Sequence, residues 1–192
     1  MPNTKILLTG GAGYIGSHTA VALAQAGFTP VILDNFANAK PSVIDRLELI
    51  LGAPVALEHG DLLDRTFLAD VFARHRFGAV IHFAALKAVG ASVENPLDYF
   101  NVNCGGLTAL LLAMRAAEVR HLVFSSTATV YGAPDAAPVT EGAPRSHSSP
   151  YALTKLASEH LLEAMTIAEP RWAFGILRYF NPAGAHESGL IG

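Results

Sequence analysis

Ile6-Leu7-Leu8-Thr9-Gly10-Gly11-Ala12-Gly13-Tyr14-Ile15-Gly16 starts as a short apolar strand, breaks into glycine and runs on at helical spacing. Glycines 11, 13 and 16 satisfy G-x-G-x-x-G, and glycines 10, 13 and 16 satisfy the wider G-x-x-G-x-x-G. In such a turn one glycine makes the bend, one lets backbone N–H groups approach a pyrophosphate, and one lets the helix pack on the strand. The helix that follows offers unpaired N–H donors and a positive dipole end to the same anion. A plain strand-to-helix turn needs only one or two of these glycines. Asp34 tips the balance: it ends the next apolar run, Val31-Ile32-Leu33, eighteen residues beyond Gly16. A carboxylate there accepts hydrogen bonds from a ribose 2′-hydroxyl and repels a 2′-phosphate, so NAD is expected over NADP.

The chain around this turn has 192 residues, a length that suits one domain. With 51% hydrophobic and 15% charged residues it is globular in composition, not disordered. A net charge of −3 without a basic run speaks against nucleic acid or an anionic membrane as partner. Cys104 is the single cysteine, which excludes an internal disulfide and fits a reducing compartment. The glycine turn arrives at once, so no signal peptide is expected, and the most apolar helix, Leu107 to Ala117, is broken by Arg115 and too short for a bilayer. A cytoplasmic protein is expected. The eight histidines lack ligand spacing, so no metal site is expected.

Beyond the turn, helical spacing from Tyr14 to Ala26 stops at Gly27, and Pro30 to Asp34 forms a second strand. Pro41 opens a helix to about Leu51, Val55 to Glu58 is a short strand, and Asp64 can cap a helix through Arg74. Ala79 to Phe83 is apolar throughout, as in a strand buried on both faces. A long helix has its firm part from Pro96 to Ala117, followed by a strand from His121 to Phe124 that runs out into Ser125-Ser126-Thr127. Residues 131–149, with prolines at 134, 138 and 144, read as loop. Pro150 to Ile167 is the next helix and Trp172 to Tyr179 the sixth strand. This alternation predicts an α/β, Rossmann-like, doubly wound parallel sheet of about six strands in the order 3-2-1-4-5-6, with the ligand across the carboxyl ends of the strands.

A second constellation opens the last helix. Tyr151 and Lys155 stand at i and i+4 and share a face. A phenol is a poor base at neutral pH, but a neighbouring ammonium and an oxidised nicotinamide both favour the phenolate. By itself the pair is an ordinary surface feature. Thr127 changes its weight, because its hydroxyl sits at the sheet edge where the glycine turn also lies and can hydrogen-bond a substrate oxygen while Tyr151 takes the proton. Ser125 and Ser126 lack the G-x-S-x-G elbow of a hydrolase.

Glycine turn, Asp34, Thr127 and Tyr-x-x-x-Lys together resemble the extended short-chain dehydrogenase/reductase superfamily. Three strings resemble the UDP-glucose 4-epimerase family more narrowly: His82 to Gly90 (HFAALKAVG), Ser125 to Gly132 (SSTATVYG) and Leu177 to Ala185 (LRYFNPAGA). The resemblance implies an isomerase that interconverts UDP-galactose and UDP-glucose through a 4-keto sugar, with transient hydride transfer to bound NAD. By position it implies that Gly10, Gly13, Tyr14, Ile15, Gly16, Asp34, Asn35, Asn38, Asp61 and Leu62 hold the adenosine and pyrophosphate side. It places Phe83, Ala84, Ala85 and Lys87 along the nicotinamide half, Thr127, Tyr151 and Lys155 as the catalytic set, and Tyr179, Phe180 and Asn181 at the sugar nucleotide. Tyr151, Lys155, Tyr179 and Phe180 then also touch NAD, and Lys87, Thr127 and Tyr151 also touch substrate. Residues 1–180 are the expected NAD-binding domain, and 181–192 the start of a sugar-nucleotide segment.

Some positions depart from the family. Thr127 stands for a frequent serine, Ala85 for a frequent glycine, and Cys104-Gly105-Gly106 for a single glycine. Two adjacent helix glycines cost about 1 kcal/mol each relative to alanine, with close helix packing as the expected compensation. Full-length members continue into a smaller substrate domain, so that domain is expected to be missing after Gly192. The resemblance also implies a homodimer, with Leu107, Leu110, Leu111 and Met114 and the stripe Leu156, Leu161, Met165 as candidate surfaces. Two alternatives stand beside this: another NAD-dependent nucleotide-sugar epimerase or dehydratase, and a non-catalytic NAD-binding module. A dehydratase needs an acid and a base where Ala128 and Thr129 stand.

Overall fold

The computed structural model describes residues 3–133 and 138–192. Its six strands are β1 (Lys5–Thr9), β2 (Thr29–Asp34), β3 (Ala56–His59), β4 (Phe77–His82), β5 (His121–Thr127) and β6 (Ala173–Tyr179). They form one sheet in the order β3-β2-β1-β4-β5-β6, with every neighbour parallel. This is the doubly wound topology expected from the alternation of apolar runs and helical stretches. The helices are α1 (Tyr14–Gln25), α2 (Ser42–Leu51), α3 (Arg65–Arg74), α4 (Val89–Glu94), α5 (Pro96–Tyr99), α6 (Gly106–Ala116) and α7 (Pro150–Ala168).

The inner strands β1 and β2 are apolar on both faces because each face is covered, while β3 at the sheet edge is mostly exposed. Leu7, Val31 and Leu33 join the core with α3 and α6, while their neighbours Leu8 and Ile32 join the opposite core with α1 and α2. Alternate residues thus feed alternate layers, as the period of two along a strand requires. The starts of two helices are set as their sequence suggests: Asp64 accepts from the Phe67 amide at 2.9 Å, and Ser149 accepts from Ala152 at 3.2 Å ahead of Pro150.

Four expectations change. The helix expected from Pro96 to Ala117 is broken by a π-helical stretch, Phe100–Gly105, which turns buried Asn103 toward the loop after β4. β5 does not stop at Phe124. Its last three residues pair with β6, Ser125 with Leu177, Ser126 with Arg178 and Thr127 with Tyr179, so hydroxyl-bearing residues complete the strand. The surfaces offered for a homodimer are largely interior: Leu107, Leu110, Leu111, Met114 and Leu156 are buried, and Leu161 and Met165 pack against the core. Apolar side chains left outside on or beside these helices include Val93, Leu97, Phe100, Leu112 and Ile167. Finally, a Cβ on Gly105 or Gly106 would meet its neighbours at 3.5 Å, ordinary contact, so close packing does not account for this glycine pair.

Residues 134–137, Pro134 among them, lie outside the described residues; elsewhere in the 131–149 loop the Ser146 amide donates to the Val130 carbonyl at 2.8 Å. Residues 181–192 contain no helix or strand but fold back over α1 and α2. Tyr14 donates to the Gly184 carbonyl at 2.7 Å, Arg46 to the Leu190 carbonyl at 3.2 Å, and Ile191 is buried in the α1/α2 core. Among the described residues, no helix is long and apolar enough to cross a membrane.

Candidate active site

The carboxyl ends of the strands open on a cleft of about 460 Å³. Its floor begins at the glycine turn. Gly10 has φ +68°, and a Cβ there would stand 2.6 Å from the Ala84 amide nitrogen, so the β1 turn and the β4 loop touch only because this residue is glycine. A Cβ on Gly16 would stand 2.5 Å from the Gly10 carbonyl. One on Gly13 meets only that carbonyl, at 3.2 Å, leaving its other side open to the cleft. A Cβ on Gly11 would stand 2.9 Å from the Leu8 carbonyl, so the turn uses both spacings, 11, 13 and 16 as well as 10, 13 and 16. No side chain caps α1, so its first-turn amides remain donors beside Gly13, Tyr14 and Ile15 on the cleft wall.

Asp34, at the end of β2, is buried. Its carboxylate accepts from the Ala12 amide at 3.0 Å and from the Phe36 amide at 2.9 Å, fixing the glycine turn to the second strand. Each oxygen retains a lone pair for a further donor. Asn35 donates to Asp61 at 2.8 Å across the next strand pair, and Asp61 accepts from the Leu63 amide at 2.8 Å. Asn38 and Leu62 complete this end of the cleft, and Phe83, Ala84, Ala85 and Lys87 form the wall leading from β4.

At the other end stand Thr127, Tyr151, Lys155, Tyr179 and Phe180, on the same cleft. Register explains the grouping: Thr127 and Tyr179 are paired residues at the ends of β5 and β6, and Tyr151 opens the helix between these strands in the chain. Burial raises the Tyr151 phenol above its ordinary value, while the Thr127 hydroxyl pulls it down. The net direction is opposite to that expected from an adjacent ammonium. Lys155 explains the difference: its Nζ donates to the Ser125 carbonyl at 2.8 Å and lies 4.9 Å from the centre of the Phe124 ring. Buried there, the ammonium is pushed down to about 8, with Cys104 acting in the opposite sense. His82 lies below, its Nδ1 2.6 Å from the Thr9 hydroxyl; burial first, and Lys155 second, hold it at about 3 and hence neutral.

Of the sequence-predicted residues, Asn181 alone is not on the cleft wall; it is exposed, and neighbouring Pro182 lines the cleft. Thr129, where a dehydratase needs a carboxylate, places its hydroxyl 3.0 Å from that of Thr127. Sequence reasoning missed two supports. Asn103 accepts from the Leu86 amide at 2.8 Å and donates to the Leu86 carbonyl and the Thr154 hydroxyl at 3.0 Å each, joining the β4 loop to α7. A pair of amides, Asn101 and Asn103, in an otherwise apolar helix was its only signal. The other is Glu159, fully buried, which accepts from Ser126 at 2.5 Å, from Arg178 at 3.1 and 2.8 Å, and from Arg145 at 3.2 Å. Its signal was a second i+4 step after Tyr151 and Lys155.

Comparison with known proteins agrees with this geometry. The pattern of the NAD dependent epimerase/dehydratase family matches residues 6–191. A UDP-glucose 4-epimerase from Yersinia pestis is 54% identical over 188 residues, 97% of this chain and 56% of the relative. One from Dictyostelium discoideum is 48% identical over 98% of this chain and 55% of its own length. Among solved structures, UDP-glucose 4-epimerase from Stenotrophomonas maltophila, with bound NAD and formylated UDP-arabinopyranose, matches with a TM-score of 0.96 at 47% identity, over 99% of this chain and 56% of that one. The Bifidobacterium longum enzyme in complex with NAD⁺ and UDP gives 0.96 at 44% identity, over 98% and 57%. The chain spans little more than half the length of the relatives it matches.

Proposed function

We propose, from the premise that this chain belongs to the NAD dependent epimerase/dehydratase family, that it carries the NAD site and catalytic groups of a UDP-glucose 4-epimerase. The observation that supports this most is the convergence of Thr127, Tyr151 and Lys155 on the cleft that begins at the glycine turn. The residues present fit NAD: Gly13 leaves backbone open to a pyrophosphate, α1 presents uncapped amides, and Asp34 keeps lone pairs for a ribose. Asn35, Asn38, Asp61 and Leu62 bound the adenosine side in this assignment, and Phe83, Ala84, Ala85, Lys87, Tyr179 and Phe180 the nicotinamide and sugar side.

Bound NAD supplies a reversible hydride acceptor, which makes a 4-keto sugar accessible from either epimer. The chain's own part is the proton. Thr127 holds the sugar 4-hydroxyl while Tyr151 accepts its proton, and the same phenol returns it after the sugar has turned over. Burial opposes the phenolate in the chain alone, so the cationic form of the nicotinamide is what brings Tyr151 into range. Lys155, anchored on the Ser125 carbonyl, contacts the ribose. Residues 1–180 constitute the dinucleotide unit, and 181–192 begin the segment that meets the sugar nucleotide, with Asn181 entering when substrate is bound. Two copies associate through Val89, Val93, Leu97 and Phe100, apolar side chains exposed along α4, α5 and the π-helical stretch. The single cysteine supports a cytoplasmic location. Conversion of UDP-galactose to UDP-glucose by the purified chain tests the assignment; NAD binding without conversion would support the non-catalytic module instead.

A further inference from the structure

We propose that Glu159 is a positioning residue for the Tyr151 base, its carboxylate setting where α7 stands against the ends of β5 and β6 through Ser126 and Arg178. The chemistry rests on the epimerase assignment; the geometry does not. Tyr151, Lys155 and Glu159 stand at i, i+4 and i+8, one stripe down α7. Two of them are rungs to β5: Lys155 donates to the Ser125 carbonyl at 2.8 Å, and Ser126 donates to Glu159 at 2.5 Å. Ser126 directly precedes Thr127, and Arg178 directly precedes Tyr179. The two are register partners across β5 and β6. One carboxylate thus grips the residue behind each of two cleft side chains, and belongs to the helix that bears the third.

Glu159 does not line the cleft, so it acts through these neighbours and not on a ligand. Arg145 adds the 131–149 loop to the same carboxylate at 3.2 Å, and Arg178 also donates to the Tyr131 hydroxyl at 2.7 Å. A bidentate arginine fixes direction as well as distance, which a single point charge does not. Without the carboxylate the strand ends are free to shift by a fraction of an ångström, and the Thr127 hydroxyl loses its place beside the phenol.

The test is the titration of Tyr151 in the full chain, with and without NAD⁺, followed by NMR of ring-labelled tyrosine and assigned with Tyr151→Phe. Ser126→Ala removes one rung and no charge. Simple loss of folded protein does not alter the pH at which the folded phenol titrates. Release of the Thr127 hydroxyl raises it by roughly 0.5–1 pH unit. Glu159→Gln also raises it, although removal of a negative charge alone lowers it, so the sign separates positioning from electrostatics. With substrate, both variants are expected to lose about tenfold in kcat per bound NAD, with KM unchanged. An unmoved titration in Ser126→Ala, or a downward one in Glu159→Gln, overturns the proposal. Absence of UDP-galactose turnover in the unaltered chain overturns the epimerase assignment while leaving the titration readable.

Discussion

Lys155 and Glu159 lie one turn apart on the same face of α7, and both are shut away from solvent, yet the fold treats their charges in opposite ways. Around Glu159, burial disfavours the charge, but hydrogen bonds from Arg178 and Ser126 outweigh it and hold the carboxyl below its ordinary range. Around Lys155, among the described residues, no carboxylate answers the ammonium: a carbonyl and an aromatic face are its partners, and burial dominates. The balanced charge faces the scaffold, and the unbalanced one faces the cleft. A fold that leaves a cation under-compensated beside an open cavity has placed an energetic cost where a ligand can relieve it.

The largest effect expected from breaking this contrast is at Tyr151, one turn above Lys155. Tyr151→Phe keeps the ring and removes the proton acceptor, so kcat for UDP-galactose should fall by about 10²–10⁴-fold. Its urea midpoint should stay close to that of the unaltered chain. A rate near that of the unaltered chain would leave the cleft without its base.

On the balanced side, Glu159→Ala should cost about 3–5 kcal/mol, because it leaves Arg178 without a carboxylate beside an emptied, buried site, while Arg145 keeps Glu163 at 2.7 Å. Equilibrium urea unfolding at pH 7 measures this. The sign with pH follows from the depressed carboxyl: its stabilisation is present above the unfolded-state value and is lost as pH falls through the folded one. The gap between variant and unaltered chain should therefore narrow in acid. A gap that is constant with pH would show that packing, not charge, fills this position.

Lys155 gives the reverse. Its folded value of about 8 lies below the ordinary 10.5, so between these pH values the unfolded chain binds the extra proton. Stability contributed by this group then rises with pH over that window, by up to about 3 kcal/mol. Lys155→Met should remove the rise and be at least as stable as the unaltered chain near pH 7, while losing turnover. A destabilised Lys155→Met would mean that the Ser125 carbonyl and Phe124 ring compensate the charge better than their geometry suggests.

The two sides also differed in how far the sequence disclosed them. The glycine turn and Asp34 lie within one strand–helix–strand unit, so their nearness follows from local spacing, and both line the cleft. Tyr151 and Lys155 were legible for the same reason. Glu159 and Arg178 are nineteen residues apart and belong to different elements, and only the β5–β6 register shows that Ser126 lies between them. The π-helical stretch was hidden because one extra residue in a turn hardly disturbs an apolar pattern. The rise in the Tyr151 phenol could not be read either, since burial is a property of the assembled cleft.

The opposite wall of the cleft offers the smallest and cleanest sharpening. If functional cost is concentrated on the α7 side, the glycine pair at the start of α6 should be an ordinary helix defect. Gly106 has φ −61° and ψ −44°, geometry that any residue adopts. Its added Cβ would meet Leu62 Cβ at 3.5 Å and Cδ1 at 3.7 Å, contacts that attract. Gly106→Ala should then stabilise the chain by about 0.5–1 kcal/mol, from reduced freedom in the unfolded state. A urea midpoint raised with unchanged slope is the expected result, accompanied by unchanged NAD affinity. A fall in NAD affinity instead would mean that Leu62, on the cleft wall, needs the room this glycine leaves, and that the α6 side shares the cost after all.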